Sequence, residues 1–353
     1  MLNKKVVVKY TTDGFTEYSL KEQVEDVTLG EHEVLVKINS CGLSIVREKT
    51  IKQFSKATTE GHYPVGHEIS GTVESIGSKV TLCKSEDDVA SFLPISSEYS
   101  GCGTYCVLSE FDIVVKPDKV SHVDAACCIG DAVKAYTALL YQAKMSSGET
   151  VVVTGAASGY GIIATQLAQY WGAKVIVAGS TDEELTFLKS LEPPADQVVD
   201  LRNKRKDILS VCLEETGGVG VDCFLDNGVE RYPDEFSDNL QTSKKKLLTK
   251  HQVISSLAVG GRWITTQHDL QVDPPDSELL SLKCASIHYL FEYSWTLSRG
   301  AQGRYLHILN DVMKKLSKGV IRPTVHHTIL LDDCIDSLNK LEDSTIGKIV
   351  VKI

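Results

Sequence analysis

Apolar and polar positions alternate in short runs over the first third of the chain. Lys5 to Lys9, Val34 to Asn39, Ile69 to Ile76, Val89 to Leu93, Tyr105 to Leu108 and Ile113 to Lys116 each read as a strand bounded by turn residues. Residues 1–125 are therefore expected to form a β-rich domain. From Val123 to Lys144 the spacing turns helical, and beyond it strands and helices alternate. Val151 to Thr154, Lys174 to Ala178, Gln197 to Asp200, Val221 to Asp226, Trp263 to Thr266 and Ala285 to Leu290 are apolar runs of the kind covered on both faces. Between them Asp207 to Glu215 reads as a helix, and Arg304 to Leu316 carries Leu306, Leu309, Val312, Met313 and Leu316 at helical spacing, which predicts a helix packed on the sheet. After Pro323 the pattern returns to strands and ends in GKIVVKI. The class is α/β: a doubly wound parallel sheet over residues 126–319, and a β-rich domain built from 1–125 and 320–353. Residues 229–252 are polar and aperiodic, which predicts an inserted surface loop with one short helix, its lysines Lys244 to Lys246 on a solvated face.

The stretch from Val151 to Ser180 carries the chemistry. A buried strand runs straight into a turn with Gly155, Gly159 and Gly161, then into a helix with Ile162, Ile163, Leu167 and Ala168 on one face, then into a second strand. Strand, glycine turn, helix and strand in about 30 residues is one βαβ unit. Its turn aims a helix N-terminus, with N–H groups and partial positive charge, at a bound anion. The spacing G-x-x-x-G-x-G departs from G-x-G-x-x-G, so the context carries the expectation of a dinucleotide pyrophosphate.

Composition removes other function classes. A net charge of −10 disfavours broad nucleic-acid or membrane-surface binding. Ten cysteines without CxxC pairs, and an N-terminus lacking an apolar signal core, predict free thiols in a reducing cytoplasm. No apolar run approaches the roughly 20 residues that cross a bilayer.

The sequence resembles the medium-chain dehydrogenase/reductase superfamily in its quinone oxidoreductase, zeta-crystallin-like branch. CGLS at 41–44, GHEISGTVESIG at 66–77, AYTAL at 135–139, AASGYG at 156–161, GGVGVDCFLD at 217–226 and GKIVV at 347–351 carry the likeness. The resemblance implies a GroES-like domain from both chain ends around a Rossmann domain, NADPH as cofactor, hydride transfer to a quinone or enone, and a homodimer joined through Lys283 to Phe291. It implies cofactor contacts at Gly155, Ala156, Ser158, Gly159, Tyr160 and Gly161.

Relatives with catalytic zinc place ligands where this chain has Ser44, His67 and, counting back from Tyr136, Gly130, with Cys127 and Cys128 close by. A hydroxyl and a glycine cannot replace two anionic ligands, so no zinc is expected, and His67 and Glu68 are expected to be structural residues at a strand start. Zinc-free reductases carry asparagine at the place of Ser44, tyrosine at Lys49 and a nicotinamide-facing threonine at Lys134. Ser44 and Lys134 are therefore the candidate catalytic residues. Past the second strand, Ala178-Gly179-Ser180 offers no carboxylate for a ribose 2′-hydroxyl, which leans to NADP. Thr181 to Glu184 replace the family's lysine with carboxylates, and Ser180 and Arg202, with Lys204 and Arg205 nearby, are the expected contacts of a 2′-phosphate. As an alternative, the resemblance implies a non-catalytic enzyme-fold subunit of an early-endosomal Rab-effector (FERRY-type) complex involved in mRNA transport.

Overall fold

The computed structural model describes residues 1–11, 16–24, 26–44, 46, 48–58, 60–230, 246–297, 299–340 and 346–353. Two compact units divide the chain: Met1–Val133 with Glu292–Ile353, and Lys134–Phe291. Both ends of the chain thus build one unit, as the sequence pattern suggested. The boundaries differ from 125 and 320, because the helix 302–317 packs with the terminal unit. Its buried Tyr305 donates to the carbonyl of Phe92 at 2.8 Å.

In chain order the terminal unit contains β1 (Leu2–Tyr10), β2 (Thr16–Val24), β3 (Glu33–Gly42), α1 (Glu48–Phe54), β4 (Tyr63–Pro64), β5 (Glu68–Ile76), β6 (Asp88–Phe92), β7 (Tyr105–Ser109), β8 (Ile113–Val115) and most of α2 (His122–Tyr136). The second unit follows with β9 (Thr150–Thr154), α3 (Gly159–Tyr170), β10 (Lys174–Gly179), α4 (Asp182–Lys189), β11 (Gln197–Asp200), α5 (Ile208–Glu215), β12 (Val221–Leu225), α6 (Lys250–Ser256), β13 (Leu257–Thr265), α7 (Pro274–Leu282) and β14 (Ser286–Tyr289). The chain then returns with α8 (Gln302–Ser317), β15 (Val325–Leu330), α9 (Cys334–Asn339) and β16 (Lys348–Lys352).

In the second unit all sheet pairings are parallel, in the order β11-β10-β9-β12-β13-β14. Val151, Val152 and Val153 on the central strand are fully buried, which explains their unbroken β-branched run. Sequence pattern missed α4 and α7, whose apolar faces are narrow, and β2, a largely exposed strand paired along its whole length with β1. The helix expected over 123–144 is α2 followed by a π-helical turn at Thr137–Gln142. The core of the predicted insertion, 231–245, lies outside the described residues. Its flanks are not surface loop: Val229 and Leu248 are buried and bridge to each other, and Thr249 caps α6 through a capping box with Gln252.

In the terminal unit β16 pairs antiparallel with β3, bringing the chain's end into the same sheet as β5. Lys348, the first residue of β16, is buried. Its ammonium lies 2.6 Å from both oxygens of Glu68 and 2.7 Å from Asp131. Burial works against the Lys348 charge, yet the Asp131 and Glu68 carboxylates hold it above its ordinary range. Burial pushes the Glu68 carboxyl up, opposed by Lys348. Beside Glu68, His67 is buried edge-on to the Tyr293 ring at 5.5 Å, and burial lowers it to about 4.

Two expectations follow. Lys348→Met, which leaves two buried carboxylates without their cation, lowers unfolding free energy in urea by about 3–5 kcal/mol, and Glu68→Gln in the same chain recovers part of the loss. His67 stays neutral in the folded state, whereas it charges near its ordinary value when unfolded. Stability from this group is therefore complete above about 6.5 and falls as pH drops from there to about 4, by roughly 3 kcal/mol. Urea unfolding at several pH values should show that slope in the wild type and a flatter one in His67→Phe.

Candidate functional site

The turn between β9 and α3 brings two backbone segments closer than side chains permit. Gly155 has φ +61°, and a Cβ there would lie 2.8 Å from Asn227. A Cβ on Gly161 would lie 2.4 Å from the Gly155 carbonyl and 2.6 Å from Ala156 Cα. Gly161 therefore serves the contact of helix with turn, and Ala156, fully buried, lies beneath it. Ser158 caps α3: its hydroxyl accepts from Gly161 N–H at 3.1 Å and donates to the Gly155 carbonyl at 2.8 Å. Both interactions are internal to the turn. What remains for a ligand is Gly155 and the amides of the first helical turn, starting at Gly159, which precede the helix's own acceptors.

These groups stand where the strand order reverses, between β9 and β12, at the carboxyl ends of the strands. Open α/β sheets bind ligands at that point. A pocket there is lined by Thr154 at the end of β9 and Gly155 in the turn after it, Gly179, Ser180 and Glu184 from the end of β10 and the start of α4, and Asn227 with Gly228 after β12. Asn227 is fixed by its N–H to the Thr154 hydroxyl at 3.1 Å. Lys246, Leu247 and Leu248 close another side. Sequence reasoning passed over Asn227-Gly228, and named Glu184 only as one of the carboxylates of 182–184. Their signals were a D-N-G turn directly after a buried strand, and Thr-x-x-Glu at the head of a helix.

The expected 2′-phosphate contacts are committed elsewhere. Ser180 is buried, and both its N–H, at 2.7 Å, and its hydroxyl, at 3.1 Å, donate to Glu184. Arg202 is held by Asp182 at 2.6 Å and by both oxygens of Asp200 at 2.9 Å. Hydrogen bonds to Asp200 and Asp182 raise the guanidinium above its ordinary value. The lean towards NADP rested on the lack of a carboxylate along Ala178-Gly179-Ser180; the two side chains expected at a 2′-phosphate are here paired with Glu184, Asp182 and Asp200.

The candidate catalytic residues belong to different units. Lys134 places its ammonium 4.9 Å from the centre of the Tyr160 ring, a cation–π contact beside the head of α3. Tyr160 itself is buried and offers its ring to that cation. Ser44, in the terminal unit, is exposed and donates its hydroxyl to Glu68. Lys49 lies within α1.

The three places where relatives hold zinc ligands can be compared directly. Glu68 spans two of them, accepting from Ser44 on one oxygen and from Gly130 N–H at 3.2 Å on the other. A Cβ on Gly130 would fall 2.6 Å from the Glu68 carboxyl carbon. The third, His67, is neutral and packed on Tyr293. The cation facing Glu68 is the Lys348 ammonium. A divalent metal does not fit this donor set, because the carboxylate is already neutralised and only one nitrogen ligand remains. Among the described residues no group of three or more His, Cys, Asp or Glu side chains is arranged to hold a metal. All ten cysteines are free thiols, and only Cys284 is exposed.

Comparison with known proteins agrees with this architecture. Residues 30–118 match the alcohol dehydrogenase GroES-like domain, and residues 159–246 match the family described as zinc-binding dehydrogenase. The chain is 41% identical over 311 residues to quinone oxidoreductase-like protein 1 of Mus musculus, covering 88% of each chain. It is 24% identical over 254 residues to quinone oxidoreductase of Homo sapiens, covering 70% of this chain and 68% of that one. Among solved structures, quinone oxidoreductase of Pseudomonas syringae pv. Tomato DC3000 superposes with a TM-score of 0.76 at 21% identity over the full length of both chains. CurK enoyl reductase superposes with a TM-score of 0.78 at 19% identity, covering 99% of this chain and 98% of that one. With its β-rich unit from both chain ends, its parallel dinucleotide-type sheet and this extent of identity, the chain belongs to the medium-chain dehydrogenase/reductase superfamily, among the quinone oxidoreductase-like proteins.

Proposed function

We propose that this protein is a zinc-independent oxidoreductase that moves hydride between a nicotinamide dinucleotide and a quinone- or enone-like small molecule. The observation that carries the reading is the pocket at the strand-order reversal, with Thr154 and Gly155 on one side and Asn227-Gly228 on the other. When bound, the nicotinamide supplies the hydride, so the chemistry asks the protein for binding and orientation more than for strong acids or bases. Gly155 and the first-turn amides of α3 would take the pyrophosphate. Ser44, whose exposed hydroxyl is anchored to Glu68, would orient a substrate oxygen. Lys134, held over Tyr160, would place positive charge near the same end of α3 and attract the anionic cofactor.

A second reading keeps the fold without turnover, as a subunit of a larger assembly such as the early-endosomal one implied by resemblance. It is favoured by Lys134, a long cation where relatives place a small neutral residue. We further propose a homodimer seamed at residues 283–291, since β14 ends the six-stranded sheet with an edge open to pairing.

Four measurements bear on these. Purified protein should bind reduced nicotinamide dinucleotide, seen as a change in nicotinamide fluorescence, and oxidise it with menadione or an aryl enone; binding without turnover of any acceptor selects the second reading. Gly161→Val, which forces α3 off the turn, should weaken nucleotide binding by about tenfold or more, equivalent to about 1.4 kcal/mol. Metal analysis should find substoichiometric zinc and activity unchanged by chelator, and sedimentation at micromolar concentration should give the mass of a dimer.

A further inference from the structure

The geometry points to Glu184 as the residue that selects between the two nicotinamide dinucleotides, and to NADH as the one bound. This deepens the dinucleotide reading of the same pocket and rests on it.

Glu184 is the third residue of α4, and Thr181 caps that helix by accepting from the Glu184 N–H at 3.1 Å. In an ordinary capping box the acid at this position reaches back to the cap's own N–H. Here it reaches one residue further, to Ser180, and takes both its N–H and its hydroxyl. The consequence is positional. The carboxylate is drawn to the end of β10, where it lines the pocket beside Gly179 and Ser180 while only 5% exposed. A Cβ on Gly179 would lie 3.2 Å from Glu184 Cβ, so the strand end leaves room for the helix that delivers the acid.

The carboxyl end of the second strand is where an adenosine ribose meets the protein in sheets of this order, and an acid there accepts from its 2′-hydroxyl. The strand itself ends in Ala178-Gly179-Ser180 and has no acid. The helix supplies one through space. A 2′-phosphate would bring no donor and about two negative charges against a carboxylate shielded from water. Of the cations after β11, Arg202 is bound to Asp182 and Asp200, Lys206 pairs with Glu214 at 3.0 Å, and Lys204 and Arg205 are exposed and outside the pocket's lining. Lys246, exposed at another side of the pocket, is the remaining described cation in its lining.

The experiment titrates the full-length protein with NADH and with NADPH, following nicotinamide fluorescence, with 5′-ADP and 2′,5′-ADP as competitors. A hydrogen bond to a charged group is worth a factor of about ten to a hundred in binding, so NADH should bind at least about tenfold more tightly than NADPH. The competitor 5′-ADP should outcompete 2′,5′-ADP. Glu184→Lys should reverse the order, and Glu184→Gln, which can still accept from Ser180, should narrow the gap by weakening NADH and admitting NADPH. Thermal melting confirms that each variant is folded, and the glutamine variant gives the result if the lysine variant is not. Equal affinity, or tighter NADPH, in the wild type overturns the assignment while leaving the dinucleotide reading intact. An unchanged ratio in a folded Glu184→Gln also overturns it. Failure of both nucleotides to bind overturns the assignment together with the reading it rests on.

Discussion

The pocket of the dinucleotide unit depends on one close approach, that of α3 to the turn it leaves. Gly161 lies against the Gly155 carbonyl with no space for a Cβ, and Gly155 takes a left-handed conformation against Asn227. A side chain on Gly161 would push the helix away, so that its first-turn amides would no longer meet the end of β9, whereas one on Gly155 would strike Asn227. The glycines of this motif thus act mainly through helix–strand packing. Ser158 strengthens the same joint by holding Gly161 N–H and the Gly155 carbonyl at once.

In the terminal unit a different constraint governs. A carboxylate as deeply buried as Glu68 needs a cation and hydrogen-bond donors, and β16 brings Lys348 to it from the far end of the chain. Ser44 and Gly130 supply the donors. Two of the three positions at which the resemblance implies zinc ligands are thereby spanned by a protein-only charge cluster, which ties the first strands of the unit to the last one. The same cluster leaves Ser44 exposed but oriented, a polar group on a rigid mounting. Its charges lie in the interior, where the cost of removing them from water offsets much of their mutual attraction.

The likeness to quinone oxidoreductase-like proteins and the geometry of the pocket bear on different questions. Identity over most of the chain establishes ancestry and fold. Turnover depends on a few side chains: Ser44 and Lys134 are the candidates, and Glu184 stands at the end of β10. Lys134 rests on the Tyr160 ring, a residue seated directly after the turn's glycine Gly159. Lys134 and Tyr160 therefore form one contact at the head of α3.

Periodicity alone determined most of the architecture. The buried valines of β9, the helical stripe of α3 and the alternation that follows required a parallel sheet, because such runs are stable only when covered on both faces. The return of strands after Pro323 required the tail to rejoin the first unit. Other features depended on meetings between residues far apart in the chain. Sequence placed Ser180 and Arg202 at the ribose, yet hydrogen bonding turned Ser180 towards Glu184, and Asp182 and Asp200 claimed the arginine. It assigned α8 to the sheet of the second unit, whereas the Tyr305 hydroxyl found its acceptor on Phe92. It read Lys348 as one residue of a terminal strand, and only folding set that ammonium between Glu68 and Asp131. Patterns of burial are local and can be read along the chain. The partner of a buried polar group is chosen in three dimensions, where each charge takes the nearest group that can satisfy it.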